Sequence, residues 1–144
     1  MKKTIFLLII MLCVLCSCTN SEFSDITPIP DAVESIVFQR TNVDKDGNYT
    51  YFEKTIVEKE QMESFLNNID SFRFVSVEPI KFSSVDYLII FQGGRTHKLV
   101  LSGDLAVYDG LAYKIDKGDL SDKFSELYTS LSQEEKQTTS KIFS

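Results

Sequence analysis

The sequence predicts an α+β fold: an antiparallel β-meander sheet of about six to seven strands with two helices packed on one face. Three observations carry that expectation. Short β-rich runs recur between turn signals from Val33 to Ile115. Two segments, Glu58 to Ser71 and Asp119 to Leu131, space their apolar residues at helical intervals. Four of the strands follow one another through turns of two or three residues, a length that joins antiparallel neighbours and is too short for a parallel crossover.

The first two strands are Ser35 to Arg40 (SIVFQR) and Tyr49 to Val57 (YTYFEKTIV). The loop between them, Asp44-Lys45-Asp46-Gly47-Asn48, contains an Asp-Gly pair that supplies positive φ, so the two runs should form a hairpin. In Glu58 to Ser71, Met62, Phe65, Leu66 and Ile69 stand at i, i+3, i+4 and i+7, one apolar stripe on a helix that must face the core. Phe72 to Val77 begins the second group of strands and ends before Pro79. Tyr87 to Gln92 (YLIIFQ) is apolar at nearly every position, which suits a central strand covered on both faces.

Gly93-Gly94 turns the chain into Arg95 to Leu101, Ser102-Gly103-Asp104 leads into Leu105 to Tyr108, and Asp109-Gly110 returns it along Leu111 to Ile115. Asp119 or Ser121 can cap a final helix bearing Leu120, Phe124, Leu127, Tyr128 and Leu131 on one stripe. The remainder, 132–144, is polar until Ile142-Phe143. Ser132 and Glu135 have capping-box spacing, so this segment reads either as a C-terminal tail or as a short helix.

The N-terminus is of another kind. Lys2 and Lys3 precede an apolar run from Thr4 to Cys16, 13 residues long and short of the ~20 needed to span a bilayer core. Leu15-Cys16-Ser17-Cys18 closes it. Of the three cysteines, only Cys18 is preceded by a small residue, Ser17; Leu12 precedes Cys13 and Leu15 precedes Cys16. The segment resembles the signal of bacterial lipoproteins, in which a diacylglyceryl group is joined to the cysteine sulfur and the peptide is cut in front of it. The resemblance implies lipid attachment at Cys18, a signal peptide over 1–17, and a location on the extracytoplasmic side of a bacterial membrane. Two or three acyl chains would make release slow, where a single chain holds only marginally.

The expected organisation is therefore signal peptide 1–17, flexible tether 18–32 containing Pro28 and Pro30, and a single α+β domain over 33–131, followed by the tail. Cleavage would remove two of the 15 basic residues and none of the 21 acids, moving the net charge from −6 to −8. A nucleic-acid partner is disfavoured on that balance. Cys13 and Cys16 would leave with the signal, so disulfide, thiol and thiolate-metal chemistry fall away with them.

The sharpest chemical motif is Asn42 to Glu53, NVDKDGNYTYFE. With Asn42 as position 1, Asp44, Asp46, Gly47 and Glu53 fall at 3, 5, 6 and 12, a spacing that resembles an EF-hand calcium loop. Asn replaces the first aspartate, and β-rich flanks stand where helices are required, so a plain hairpin turn explains the same residues. Among catalytic groups, His97 is the single histidine; it alternates in phase with Leu99 and Leu101 and reads as a structural strand residue near a sheet end. Tyr49 and Tyr51 point to one face of their strand and Phe52 and Ile56 to the other; one set must face the core, and the tyrosines read either as packed under the tether or against a neighbouring strand, the favoured reading, or as an exposed pair suited to sugar or peptide contact.

The stretch from Thr55 to Leu131 includes Ser76-Val77-Glu78-Pro79, Asp86 to Phe91, Gly94, Lys98 to Asp104 and Tyr113-Lys114-Ile115. Over roughly half the chain it resembles the small YhfM-like domains carried by envelope lipoproteins of Gram-positive bacteria. That resemblance implies fold and location and carries over no catalytic residue. The expected function is a lipid-anchored, non-enzymatic envelope domain that uses no cofactor and binds a protein, peptide or glycan. The alternative is a calcium-dependent or carboxylate-based enzyme acting on an envelope polymer through Asn42, Asp44, Asp46 and Glu53.

Overall fold

A computed structural model of the chain describes residues 29–30, 32–116 and 120–140, with Leu120 and Ser121 described in backbone only. The expected lipid site at Cys18, most of the tether, the cap at Asp119 or the Ser121 side chain, and Ile142-Phe143 lie outside the described residues.

Among the described residues eight strands and two helices follow in the order β1 (Ser35–Val43), β2 (Tyr49–Ile56), α1 (Lys59–Asp70), β3 (Arg73–Ser76), β4 (Tyr87–Gln92), β5 (His97–Ser102), β6 (Leu105–Tyr108), β7 (Leu111–Asp116), α2 (Leu120–Ser130) and β8 (Lys136–Thr138). They form one open sheet ordered β3-β7-β6-β5-β4-β1-β2-β8, with every neighbouring pair antiparallel. The α+β class is therefore correct, and the sheet is larger than the six to seven strands expected. The eighth strand comes from the segment read as tail or short helix: Lys136 and Thr138 pair with Glu53 and Tyr51 instead. β3 is not beside β4, either. It lies at the far edge on β7, where Phe74 faces Ile115.

The hairpin and meander form as the turn chemistry requires. Asp109 (φ 47°) and Gly110 (φ 88°) both take the left-handed conformation that a two-residue turn of type I′ demands. The remaining connections are crossovers, and their hand explains the layering. From β2 the chain passes through α1 to β3, which runs in the same direction at the other end of the sheet. It then returns through residues 77–86 to β4, again running the same way. Reversing the direction of travel while keeping one hand puts the return on the opposite face. Residues 77–86 accordingly form a strap across the helix-free face, and the β7-α2-β8 crossover, whose strands run the other way, brings α2 back beside α1.

The main core lies between the helices and the sheet. Ile36, Phe38, Ile56, Ile89, Phe91, Leu99, Leu101 and Ile115 from the strands meet Phe65 and Ile69 of α1 and Phe124 and Tyr128 of α2, all buried. Phe38 is its aromatic centre, with ring centroids 5.4 Å from Phe65, 5.6 Å from Tyr87, 6.4 Å from Phe124 and 5.1 Å from Tyr128. A smaller cluster, Val37, Leu88 and Ile90 with Val100 against it, occupies the opposite face. β4 is thus buried on both sides, as its unbroken apolar run anticipated. Gln39, only 1% exposed, is the buried polar exception; its Nε2 donates to the Thr139 carbonyl at 3.0 Å and ties the end of the C-terminal segment to the sheet.

Candidate functional site

The strap and the helix-free face enclose a groove of about 510 Å³. Its position follows from strand parity. Thr41 of β1 lies opposite Tyr51 of β2, Leu88 of β4 opposite Val100 of β5, and Val100 opposite Val107 of β6, so all five residues share the face that carries no helix. Tyr49 and Tyr51 stand on one side of the groove, Val100 and Val107 on the other, and strap residues Lys81 to Val85 complete the lining. Tyr49 is 52% exposed and Val43, its cross-strand neighbour, 55%. Packing against a neighbour was the expectation favoured for the two tyrosines; Tyr49 is instead exposed and Tyr51 half-buried. The strap was not legible in it: 77–86 carries no periodicity, and only the crossover hand says which face it covers.

Asn42, Asp44, Asp46 and Glu53 are not brought together. Asn42 and Glu53 sit in strands whose parity sends them to opposite faces. Glu53 lies four residues beyond Tyr49, about 13 Å along an extended strand from the turn. Asp44 is used by its own loop: Oδ1 accepts from the backbone N–H of Asp46 at 2.8 Å and of Asn48 at 2.9 Å, while Oδ2 accepts from Asn48 Nδ2 at 2.9 Å. Those bonds, led by the Asn48 side chain, hold its carboxyl below the usual carboxylate range. Among the described residues no group of three or more histidine, cysteine and acidic side chains could hold a metal ion. The Asp-Gly loop is a hairpin turn stabilised by an aspartate.

His97 lies at the start of β5 on the helix face, as its phase with Leu99 and Leu101 required. Its Nδ1 is 2.5 Å from Asp109 Oδ2, and its ring stacks on Tyr108 at a centroid separation of 5.9 Å. Asp109 Oδ1 also accepts from the Lys98 backbone N–H at 2.9 Å. The histidine therefore braces the β6-β7 turn against β5.

The densest polar cluster was missed by sequence reasoning, because its members are about 95 residues apart. Arg40 makes a two-pronged contact with Glu135, Nε to Oε2 at 3.0 Å and Nη2 to Oε1 at 3.1 Å, and its guanidinium lies over Phe52 at 5.1 Å and Tyr128 at 5.3 Å. Lys54 Nζ donates to the Tyr128 and Leu131 carbonyls at 3.1 and 2.6 Å, and so covers the C-terminal end of α2. The hydrogen bonds from Arg40 hold the Glu135 carboxyl down; Arg40 in turn is held up by Glu135 against the opposing effect of burial. Burial, with Glu135 beside it, pushes the Tyr128 phenol up. The cluster seats the chain between α2 and β8.

A pH dependence follows. A carboxylate whose folded pKa is depressed adds stability that is fully present above its unfolded pKa and is lost as pH falls through the folded value. With both side chains about a third exposed, solvent screening limits the pair to ~0.5–1 kcal/mol. Glu135→Gln should lower the unfolding free energy obtained from urea denaturation at pH 7 by that amount. At pH 3 the gap from the parent should have narrowed; an unchanged gap there would assign the loss to packing.

Comparison with protein-family models, with curated proteins and with solved structures returned no match. Among the described residues no helix is long and apolar enough to cross a membrane.

Proposed function

We propose that this chain is a lipid-anchored protein of the bacterial cell envelope whose folded part is a non-enzymatic binding domain, with the groove beneath the strap as its binding surface. The groove carries the reading. A concave site of a few hundred cubic ångströms, mostly apolar and edged by a few polar groups, is the usual form of a small-molecule or peptide site. Its tyrosines, Tyr49 exposed and Tyr51 half-buried, combine an apolar ring with a hydroxyl. The groove also lies on the face that neither helix needs, so occupying it leaves the main core undisturbed. The likeness of Leu15 to Cys18 to a lipoprotein signal, and of Thr55 to Leu131 to YhfM-like envelope domains, supports the location.

The two halves of this reading are tested separately. Cys18→Ser should abolish incorporation of labelled palmitate and release the chain from the membrane pellet; retention of the label would overturn the anchor. A photoreactive phenylalanine analogue at Tyr51 should give a discrete adduct in intact cells, and the same analogue at Glu63, on the exposed side of α1, should give none. Equal labelling at the two positions, or none at Tyr51, would overturn the groove as the binding surface.

A further inference from the structure

We propose that the groove takes a small anionic amphiphile, a carboxylic acid with an apolar body of the fatty-acid type, with the acid at Lys81 and the body over Val100 and Val107. The proposal rests on the groove being the binding surface and adds the chemical class of what enters it.

Charge complementarity is the first argument. The chain carries 21 acidic residues against 15 basic ones, yet among the described residues the one charged side chain lining the groove is a lysine. Lys81 is exposed on the strap and enters no ion pair among the described residues. Of the two strap carboxylates, Glu78 is exposed and is not among the groove's lining residues, and Asp86 is already bound to the chain: its Oδ2 accepts from the Gly103 backbone N–H at 2.8 Å. A cation at the mouth of an apolar groove on an otherwise acidic protein favours an anion there and discriminates against a cationic ligand.

The floor is the second argument. Val100 and Val107 are half-buried on the sheet face where Val37, Leu88 and Ile90 form a small buried cluster. Apolar area left open on that floor is removed from water by an alkyl body and by nothing polar. A polyhydroxylated ligand would find hydroxyls at Thr41, Tyr49, Tyr51, Ser83 and Ser84, but Phe82, Val85, Val100 and Val107 offer it none, so a hydroxyl set against those four would be buried unpaired. A second copy of the chain would set two net negative charges against each other across a far larger surface than the mouth.

The test uses the full chain reconstituted in phosphatidylcholine nanodiscs and a dodecanoic acid carrying a diazirine as photolabel. Adducts should map to peptides containing Tyr49 to Tyr51 or Lys81 to Val85. Excess dodecanoate should suppress them at least five-fold while dodecanol does not, and Lys81→Glu, at an exposed position, should lower labelling by a similar factor with an unchanged circular dichroism spectrum. Equal competition by dodecanol, or undiminished labelling of the lysine variant, would overturn the anionic assignment while leaving the groove as a binding surface. Adducts confined to peptides outside those two segments would overturn both.

Discussion

Phe38→Ala should destabilise the protein by about 3–5 kcal/mol, the usual cost of removing a buried aromatic ring. Phe38 has no exposed surface and touches four other rings, two of them on α2 and one on α1, so its removal opens a cavity where the sheet meets both helices. The loss of edge-to-face contacts adds to the loss of buried area, each such pair contributing ~0.5–1.5 kcal/mol beyond it. In a domain of about this size the midpoint of thermal unfolding should fall by roughly 15–25 °C. Phe38→Leu, which keeps most of the volume, should cost about 1–2 kcal/mol. Urea denaturation of the two variants checks the pair, and equal losses would show that the rings are not the seam holding the helices to the sheet.

Gly93→Ala should cost about 1–3 kcal/mol and Gly94→Ala less than ~0.5 kcal/mol, though the two residues are adjacent in one turn. A methyl at Gly93 would be driven into the backbone carbonyl oxygen of Ala32, closer than real Cβ atoms approach, whereas one at Gly94 meets nothing within 4 Å. The obstructing atom cannot rotate away. Its segment is held by the Glu34 backbone N–H donating to the Gln92 carbonyl at 2.7 Å and by Val33 packed on the core. Thermal unfolding of both variants decides it; equal midpoints would mean that the chain entering β1 gives way freely.

The local structure was legible in residues that carry a period or a turn. Met62 to Ile69 announced α1, Asp109-Gly110 announced the tightest hairpin, and the unbroken apolar run of Tyr87 to Gln92 announced a strand buried on both faces. What could not be read were relations between distant segments. Nothing in Phe72 to Val77 says that it will pair with Leu111–Asp116 across the sheet rather than lie beside its successor, because its alternation fits either edge. Lys136–Thr138 has too few residues to show a period, and its place is set by Arg40, Gln39 and Tyr51, about 90 to 100 positions earlier. The candidate site divides the same way: the tyrosine pair shows in the alternation of β2, while the groove exists only because the strap crosses from one end of the sheet to its middle. The calcium-loop spacing of Asn42 to Glu53 is met along the chain, but an extended strand carries its last member away from the turn that holds the others.

The position of β8 bears on the order of assembly. Tyr51 to Glu53 finds its outer hydrogen-bonding partners only when residues 136–138 arrive, so that margin stays bare until the chain has extended past α2. β1 meets β4 across more than forty intervening residues at the sheet's middle, so early pairing is confined to the hairpin and the meander. Folding should thus be slow relative to a helical protein of equal length, with the last step the docking of the C-terminal segment onto an already assembled sheet. A chain shortened before Lys136 would keep its aromatic core and expose a β edge, which makes self-association its expected failure.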